Sequence, residues 1–134
     1  MDLIDSSAWI EYLRGTGSVA HHEVKRLLSD HPDSLAVTEP IVMELLAGAR
    51  AQHVAQLQRL TGGLRLLSVD ATTDYDDAAT AYRAARATGR TVRKLIDCLI
   101  AAVAARTGAT LVHRDQDFDV LAAVLPDLRV RSLV

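Results

Sequence analysis

The sequence holds a single cysteine, Cys98, in 134 residues. No internal disulfide can form, which leaves the fold to noncovalent packing and suits a reducing compartment. No apolar run approaches the ~20 residues that cross a bilayer. Membrane residence is therefore not expected. The start carries Asp2 and Asp5 where a signal peptide would carry basic residues, so the expected location is the cytoplasm. Lysine is scarce, with only Lys25 and Lys94 beside thirteen arginines. Net charge is −2, so no global attraction to nucleic acid is indicated. Cys and His are not spaced as a structural zinc site requires. Repeats, low-complexity tracts and linkers are also missing.

What is present is an ordinary globular composition, 49% hydrophobic and 24% charged, long enough for one domain, residues 1–134, with its own core. Short apolar runs alternate with longer helical stretches. Segments 3–5, 34–38, 64–69, 109–113 and 128–133 read as buried strands. Helices are expected near 6–14, 19–30, 39–49, 51–61, 72–88, 93–107 and 117–124, with glycines such as Gly15, Gly48, Gly89 and Gly108 near their ends. Strands alternating with helices predict an α/β fold, a three-layer α/β/α sandwich around a central, mainly parallel sheet. In such sheets ligands meet the carboxyl ends of the strands.

That rule gives weight to five acids. Asp5 directly follows the first strand, and Asp115 and Asp117, in "HRDQDF", follow the fourth. Glu44 interrupts the apolar stretch Ile41 to Leu46, and Asp97 is the only charged residue between Lys94 and Arg106. Each has a plain structural explanation. Asp5 and Asp117 suit helix caps, Asp115 a loop, and Glu44 a helix flank, while Asp97 is spaced to pair with Arg93 at i,i+4. Taken together these explanations weaken, because three acids share one sheet edge and the other two are costly to bury alone. Clustered carboxylates repel. A divalent cation relieves that repulsion, and Mg²⁺ or Mn²⁺ prefers oxygen ligands, acidifies water and polarises phosphodiesters.

The stretches "IDSSAWIEYL", "MELLAGA" around Glu44, "LIDCLIAAVA" around Asp97 and "HRDQDF" around Asp115 together resemble the PIN-domain nucleases, and within them the VapC-type toxins of bacterial toxin–antitoxin pairs. The resemblance spans essentially the whole chain. It implies a PIN-like fold and an Mg²⁺- or Mn²⁺-dependent endoribonuclease that cuts RNA, a tRNA or another structured RNA, with a metal-activated water. The products implied are a 5′-phosphate and a 3′-hydroxyl. It further implies a homodimer held inactive by a cognate antitoxin. The catalytic acids carried over are Asp5, Glu44, Asp97 and Asp115, which also hold the metal, with Asp117 as an additional metal-site acid. Ser7 matches a hydroxyl often found two positions after the first aspartate. One position departs: relatives commonly have Thr or Ser where this chain has His113, so a site hydroxyl is missing. For His113 the expectation is strand-end packing, with a bond to the site in place of the hydroxyl as the alternative, and not base catalysis.

The run "GRTVRK" sets Arg90, Arg93 and Lys94 just ahead of Asp97. These three read either as a solvated loop and helix start or as a phosphate-binding lip. Cations at a helix start gain nothing from its dipole, which favours substrate binding, and Arg114, adjacent to Asp115, is a further candidate. Cys98 is expected in the core, His21 and His22 at the surface, and Trp9 and Tyr12 packed rather than stacking bases. Two other functions fit parts of the pattern. A phosphoaccepting receiver domain also gathers acids at strand ends, but it needs a lysine after the last sheet strand, where neither Lys25 nor Lys94 stands. A noncatalytic module binding a partner or RNA remains, and it need not respond to Mn²⁺.

Overall fold

The computed structural model describes residues 1–134. In chain order it comprises β1 (Asp2–Ile4), α1 (Ser6–Leu13), α2 (Val19–Asp30), β2 (Leu35–Val37), α3 (Glu39–Gly48), α4 (Val54–Gly62), β3 (Arg65–Leu66), α5 (Asp74–Ala87), α6 (Leu95–Thr107), β4 (Thr110–His113), α7 (Gln116–Val124) and β5 (Arg129–Ser132). All five strands pair in parallel, in the order β3-β2-β1-β4-β5.

That order positions the site. From β1 the chain steps outward to β2 and β3, then crosses back to β4 and on to β5. With right-handed crossovers, the reversal puts α1–α4 on one face and α5–α7 on the other. The helix contacts agree, α1 packing on α2 and α3 and α5 on α6 and α7, and α3 also touches α6. The reversal leaves a crevice between the carboxyl ends of β1 and β4, the switch point at which open α/β sheets bind ligands. Asp5 follows β1 and Asp115 follows β4.

Burial separates central from edge strands. Leu3 and Ile4 of β1, all of β2, and Leu111 to His113 of β4 are buried, as sheets covered on both faces require. Segments 64–69 and 128–133 also read as buried strands, and here the structure corrects the sequence. β3 keeps only Arg65 and Leu66, both exposed, and β5 is half-exposed. Each forms a sheet edge, where Arg65 and Arg129 are exposed as edge strands favour, while Arg131 turns to Glu23 at 2.6 Å. Trp9 and Phe118 anchor the core at 0% exposure, and Cys98 is buried with them. Trp9 meets Tyr12 edge-on at 6.2 Å between ring centroids, so both pack.

The α5–α6 pair is locked from one end. Arg106 Nε and Nη2 donate to the two carboxylate oxygens of Asp74, each at 2.9 Å, and Nη2 also reaches the Ser68 carbonyl at 2.8 Å. Asp74 is fully buried, so the fork supplies the partner that a buried charge needs. At this same terminus α6 stops at Gly108, whose φ of 74° is left-handed. A Cβ there would meet nothing within 4 Å, so Gly108→Ala carries a backbone penalty alone, about 1–2 kcal/mol. A melting temperature lower by several degrees is the expected result, read by circular dichroism.

Candidate active site

Asp5 is the N-cap of α1. Its backbone is extended (φ −69°, ψ 155°), and its Oδ2 accepts from the Ser7 N–H at 2.9 Å and the Ser7 hydroxyl at 2.5 Å. Ser7 Oγ in turn accepts from the Arg114 N–H at 3.0 Å. One hydroxyl therefore ties the end of β1 to the end of β4. The cap uses only one oxygen of Asp5. The other, Oδ1, is buried with no hydrogen-bond partner.

The remaining acids arrive on three helices. Asp97 lies in the first turn of α6, buried, with its Oδ2 unpartnered. Asp115 caps α7, its Oδ1 accepting from the Asp117 N–H at 3.0 Å, and Asp117 is buried in the first turn that follows. Carboxylate oxygens of Asp97, Asp115 and Asp117 lie within 4.8 Å of one another. Glu44, half-buried on α3, accepts from the Ser6 hydroxyl at 3.0 Å. Asp5 and Glu44 fall outside the tight triad but remain electrostatically coupled to it.

Protonation reflects the crowding. Burial first, then the charges of Asp5 and Asp115, push Asp97 up to about 7, with Lys94 pulling the other way. Burial also raises Asp5, against the hydrogen bonds from Ser7. Cys98, next to Asp97 in the chain, is pushed by burial up to about 11 and stays a thiol.

Arg93 departs from its expected place. The sequence predicts α6 from residue 93, which would set Arg93 one turn before Asp97. The helix instead begins at Leu95, so that pairing geometry is lost. Arg93 turns to α7: its N–H and Nε donate to Asp117 Oδ2, both at 3.0 Å, and Nη2 donates to Asp115 Oδ1 at 2.8 Å. Lys94 caps α6 without a side-chain bond and is exposed. Arg90 is exposed and ion-pairs with nothing. Arg114 pairs with Glu11. Beside the acids, Arg93, Arg114, Asp115, Gln116, Asp117 and Val134 line a cavity of about 550 Å³.

His113 also does more than pack. It is fully buried, tilted against Phe118, and bonds both the Asp115 N–H and the Asp119 carboxylate. Neither ring nitrogen is free for a metal. Ser6, Glu11 and Asp119 gave no sequence signal of their own, because their partners lie 38, 103 and 6 residues away.

The residues fit a divalent cation. Two buried carboxylate oxygens with no partner are costly unless a proton or cation meets them. The available donors are all oxygens, the set preferred by Mg²⁺ and Mn²⁺ over zinc.

Clustered carboxylates at the switch point of an all-parallel sheet define a site suited to metal-assisted phosphodiester chemistry. The chain belongs to the PIN-domain family, whose model matches residues 3–124. Ribonuclease VapC11 of Mycobacterium tuberculosis is 54% identical over 125 residues, covering 92% of this chain and 93% of that protein. Among solved structures, a toxin–antitoxin complex from Klebsiella pneumoniae aligns at TM-score 0.71, with 20% identity over 100% of this chain and 98% of that one. VapC20 of M. tuberculosis, described as a sarcin–ricin loop cleaving toxin, aligns at 0.64 with 24% identity, over 96% of this chain and 99% of that one. These two share the fold.

Proposed function

We propose that residues 1–134 form one nuclease domain, a divalent-metal-dependent endoribonuclease that serves as the toxin of a toxin–antitoxin pair. The observation that carries this reading is the acid cluster: three carboxylates within 4.8 Å, beside unpartnered buried oxygens on Asp5 and Asp97. Identity of 54% to a protein named a ribonuclease supports it.

Asp5, Glu44, Asp97, Asp115 and Asp117 would hold Mg²⁺ or Mn²⁺. When bound, the cation supplies Lewis acidity, acidifying water and offsetting negative charge on the phosphodiester. The protein's own contribution is preorganisation. Ser7 fixes one oxygen of Asp5 and leaves the other free, Ser6 orients Glu44, and Arg93 holds Asp115 and Asp117. Positioned groups of this kind spare the reaction an ordering cost in the transition state. Arg90, Arg93, Lys94 and Arg114 form the phosphate-binding rim.

An antitoxin protein as partner is supported by the toxin–antitoxin complex among the fold's neighbours. A groove of about 950 Å³ fits such a partner, with Leu45, Leu57 and Leu60 as its apolar floor and Arg14, Lys25 and Arg50 at its walls. An amphipathic helix with acidic flanks matches it. Exposed Met43 and Leu95 offer apolar surface for a homodimer.

The deciding experiment incubates purified protein with total cellular RNA across a Mn²⁺ series and sequences the new 5′ ends. Discrete, metal-dependent ends are expected. Unchanged RNA at every metal concentration would leave a binding module. A second test concerns the rim. Arg90→Gln with Lys94→Gln should flatten the log–log salt dependence of RNA binding, by about 0.7 per lost phosphate contact on single strands. An unchanged slope would make both residues ordinary solvated surface. Arg93 is left out because its removal would also unpair Asp115 and Asp117.

A further inference from the structure

His113 ends β4 two residues before Asp115, and its ring makes the bond with which short polar side chains close a turn. His113 Nδ1 lies 3.1 Å from the Asp115 amide nitrogen, two residues on. Ser, Thr, Asn and Asp side chains close a tight turn in this way, accepting from the backbone N–H at i+2. The amide can only donate, so Nδ1 must present its lone pair and the ring proton must sit on Nε2. Nε2 lies 3.2 Å from Asp119 Oδ1, and that carboxylate accepts the proton's hydrogen bond. The ring is fully buried and rests on Phe118 with centroids 5.2 Å apart. The ring itself has no surface open to water.

We propose that His113 is a positioning residue for Asp115. Its imidazole fixes the backbone of the strand-to-helix turn and thereby aims the Asp115 carboxylate into the acid cluster. Other bonds meet at this turn, among them Arg93 Nη2 donating to Asp115 Oδ1 at 2.8 Å and the Phe118 N–H donating to the Asp115 carbonyl at 3.1 Å. The Arg114 N–H donates to Ser7 Oγ, the Leu133 N–H donates to the His113 carbonyl at 2.7 Å, and Asp115 Oδ1 accepts from the Asp117 N–H. Of the contacts that hold the Asp115 backbone, only that from Nδ1 is a side-chain acceptor reaching its amide. Asp119, one turn into α7, pins the tautomer. The inference rests on the cluster being the metal site.

Packing and positioning separate cleanly by substitution. His113→Leu fills the buried space but accepts no hydrogen bond. His113→Asn places an acceptor near the former Nδ1 and leaves a void where the rest of the ring stood. A positioning role predicts that the Leu variant, which loses both ring hydrogen bonds, melts a few degrees below the wild type and binds Mn²⁺ about 10- to 100-fold more weakly, the usual loss when a group orienting a metal ligand is removed. The Asn variant should melt several degrees lower while keeping near-wild-type Mn²⁺ affinity. Calorimetric titration with Mn²⁺ and a melting curve supply both readings. Imidazole ¹⁵N shifts of the metal-free wild type should show the Nε2–H tautomer.

The reverse ranking, with Leu binding Mn²⁺ normally and Asn failing, would reduce His113 to packing and overturn the proposal. The Nδ1–H tautomer would overturn it as well, whatever the metal does. Wild-type protein that takes up no Mn²⁺ would refute the functional reading first, and the aiming role with it.

Discussion

Asp97→Asn is expected to abolish metal-dependent RNA cleavage and to raise the melting temperature of the metal-free protein by a few degrees above pH 7. Asn is nearly isosteric but brings no charge to a cation. The stability gain follows from the direction of the shift. Asp97 titrates near 7 in the fold, against about 4 in an unfolded chain. Below about pH 4 both states hold the proton, and the raised group costs the fold nothing. Between about pH 4 and 7 the unfolded chain gives up its proton while the fold retains it, so stability declines as pH rises, then levels off. Asp5 is raised in the same sense and adds to the decline. Asn at position 97 removes its share of that slope. Added Mn²⁺ should restore wild-type stability at pH 8 by binding the native state and should do much less for the variant. The measurements are melting curves from pH 4 to 8, with and without Mn²⁺, beside a cleavage assay. Cleavage at the wild-type rate would remove Asp97 from the site. A wild-type pH slope identical to the variant's would contradict its raised titration.

What could be read in advance followed from local rules. A lone aspartate between Lys94 and Arg106, an aspartate directly behind an apolar pair, and alternating strands and helices each point to their outcome through near neighbours. The switch point then brings Asp5 and Asp115 together through topology alone, because β1 and β4 are adjacent. What could not be read depends on distant pairings and on one- or two-residue boundaries. The turn of Arg93 toward Asp115 and Asp117 follows from α6 starting two residues later than its pattern suggests, and helix ends are the least determined feature of a sequence. The edge positions of β3 and β5 were equally hidden, since "LRLLSV" is as apolar as a central strand and only strand order decides which edge meets water. His113 read as packing because a buried imidazole and a turn-closing acceptor look alike until its partners are placed. Membrane residence is another matter: no helix is long and apolar enough to span a bilayer.

Asp5 is where local structure and chemistry meet in one side chain. As a helix cap alone, it should tolerate Asn with little change in stability or activity, since Asn caps about as well as Asp. The structure divides its two oxygens between two tasks. Oδ2 takes both bonds from Ser7, whereas Oδ1 is buried with nothing to meet it. In Asp5→Asn the amide oxygen can keep the Ser7 bonds, and the NH₂ group then takes the position of Oδ1. The helix stays capped, one negative charge leaves the cluster, and a donor faces the place where a cation would need an acceptor. The melting temperature should therefore hold or rise slightly in the absence of metal. Cleavage should fall by two or more orders of magnitude, because the acid cluster, one charge short, would hold a divalent cation more weakly and out of place. Alanine would blur this result by removing the cap, at about 1 kcal/mol, together with the charge. A melting curve and an RNA-cleavage assay over the same Mn²⁺ series test both halves. Wild-type cleavage throughout would return Asp5 to the role of a cap; a stable protein without activity is the expected result.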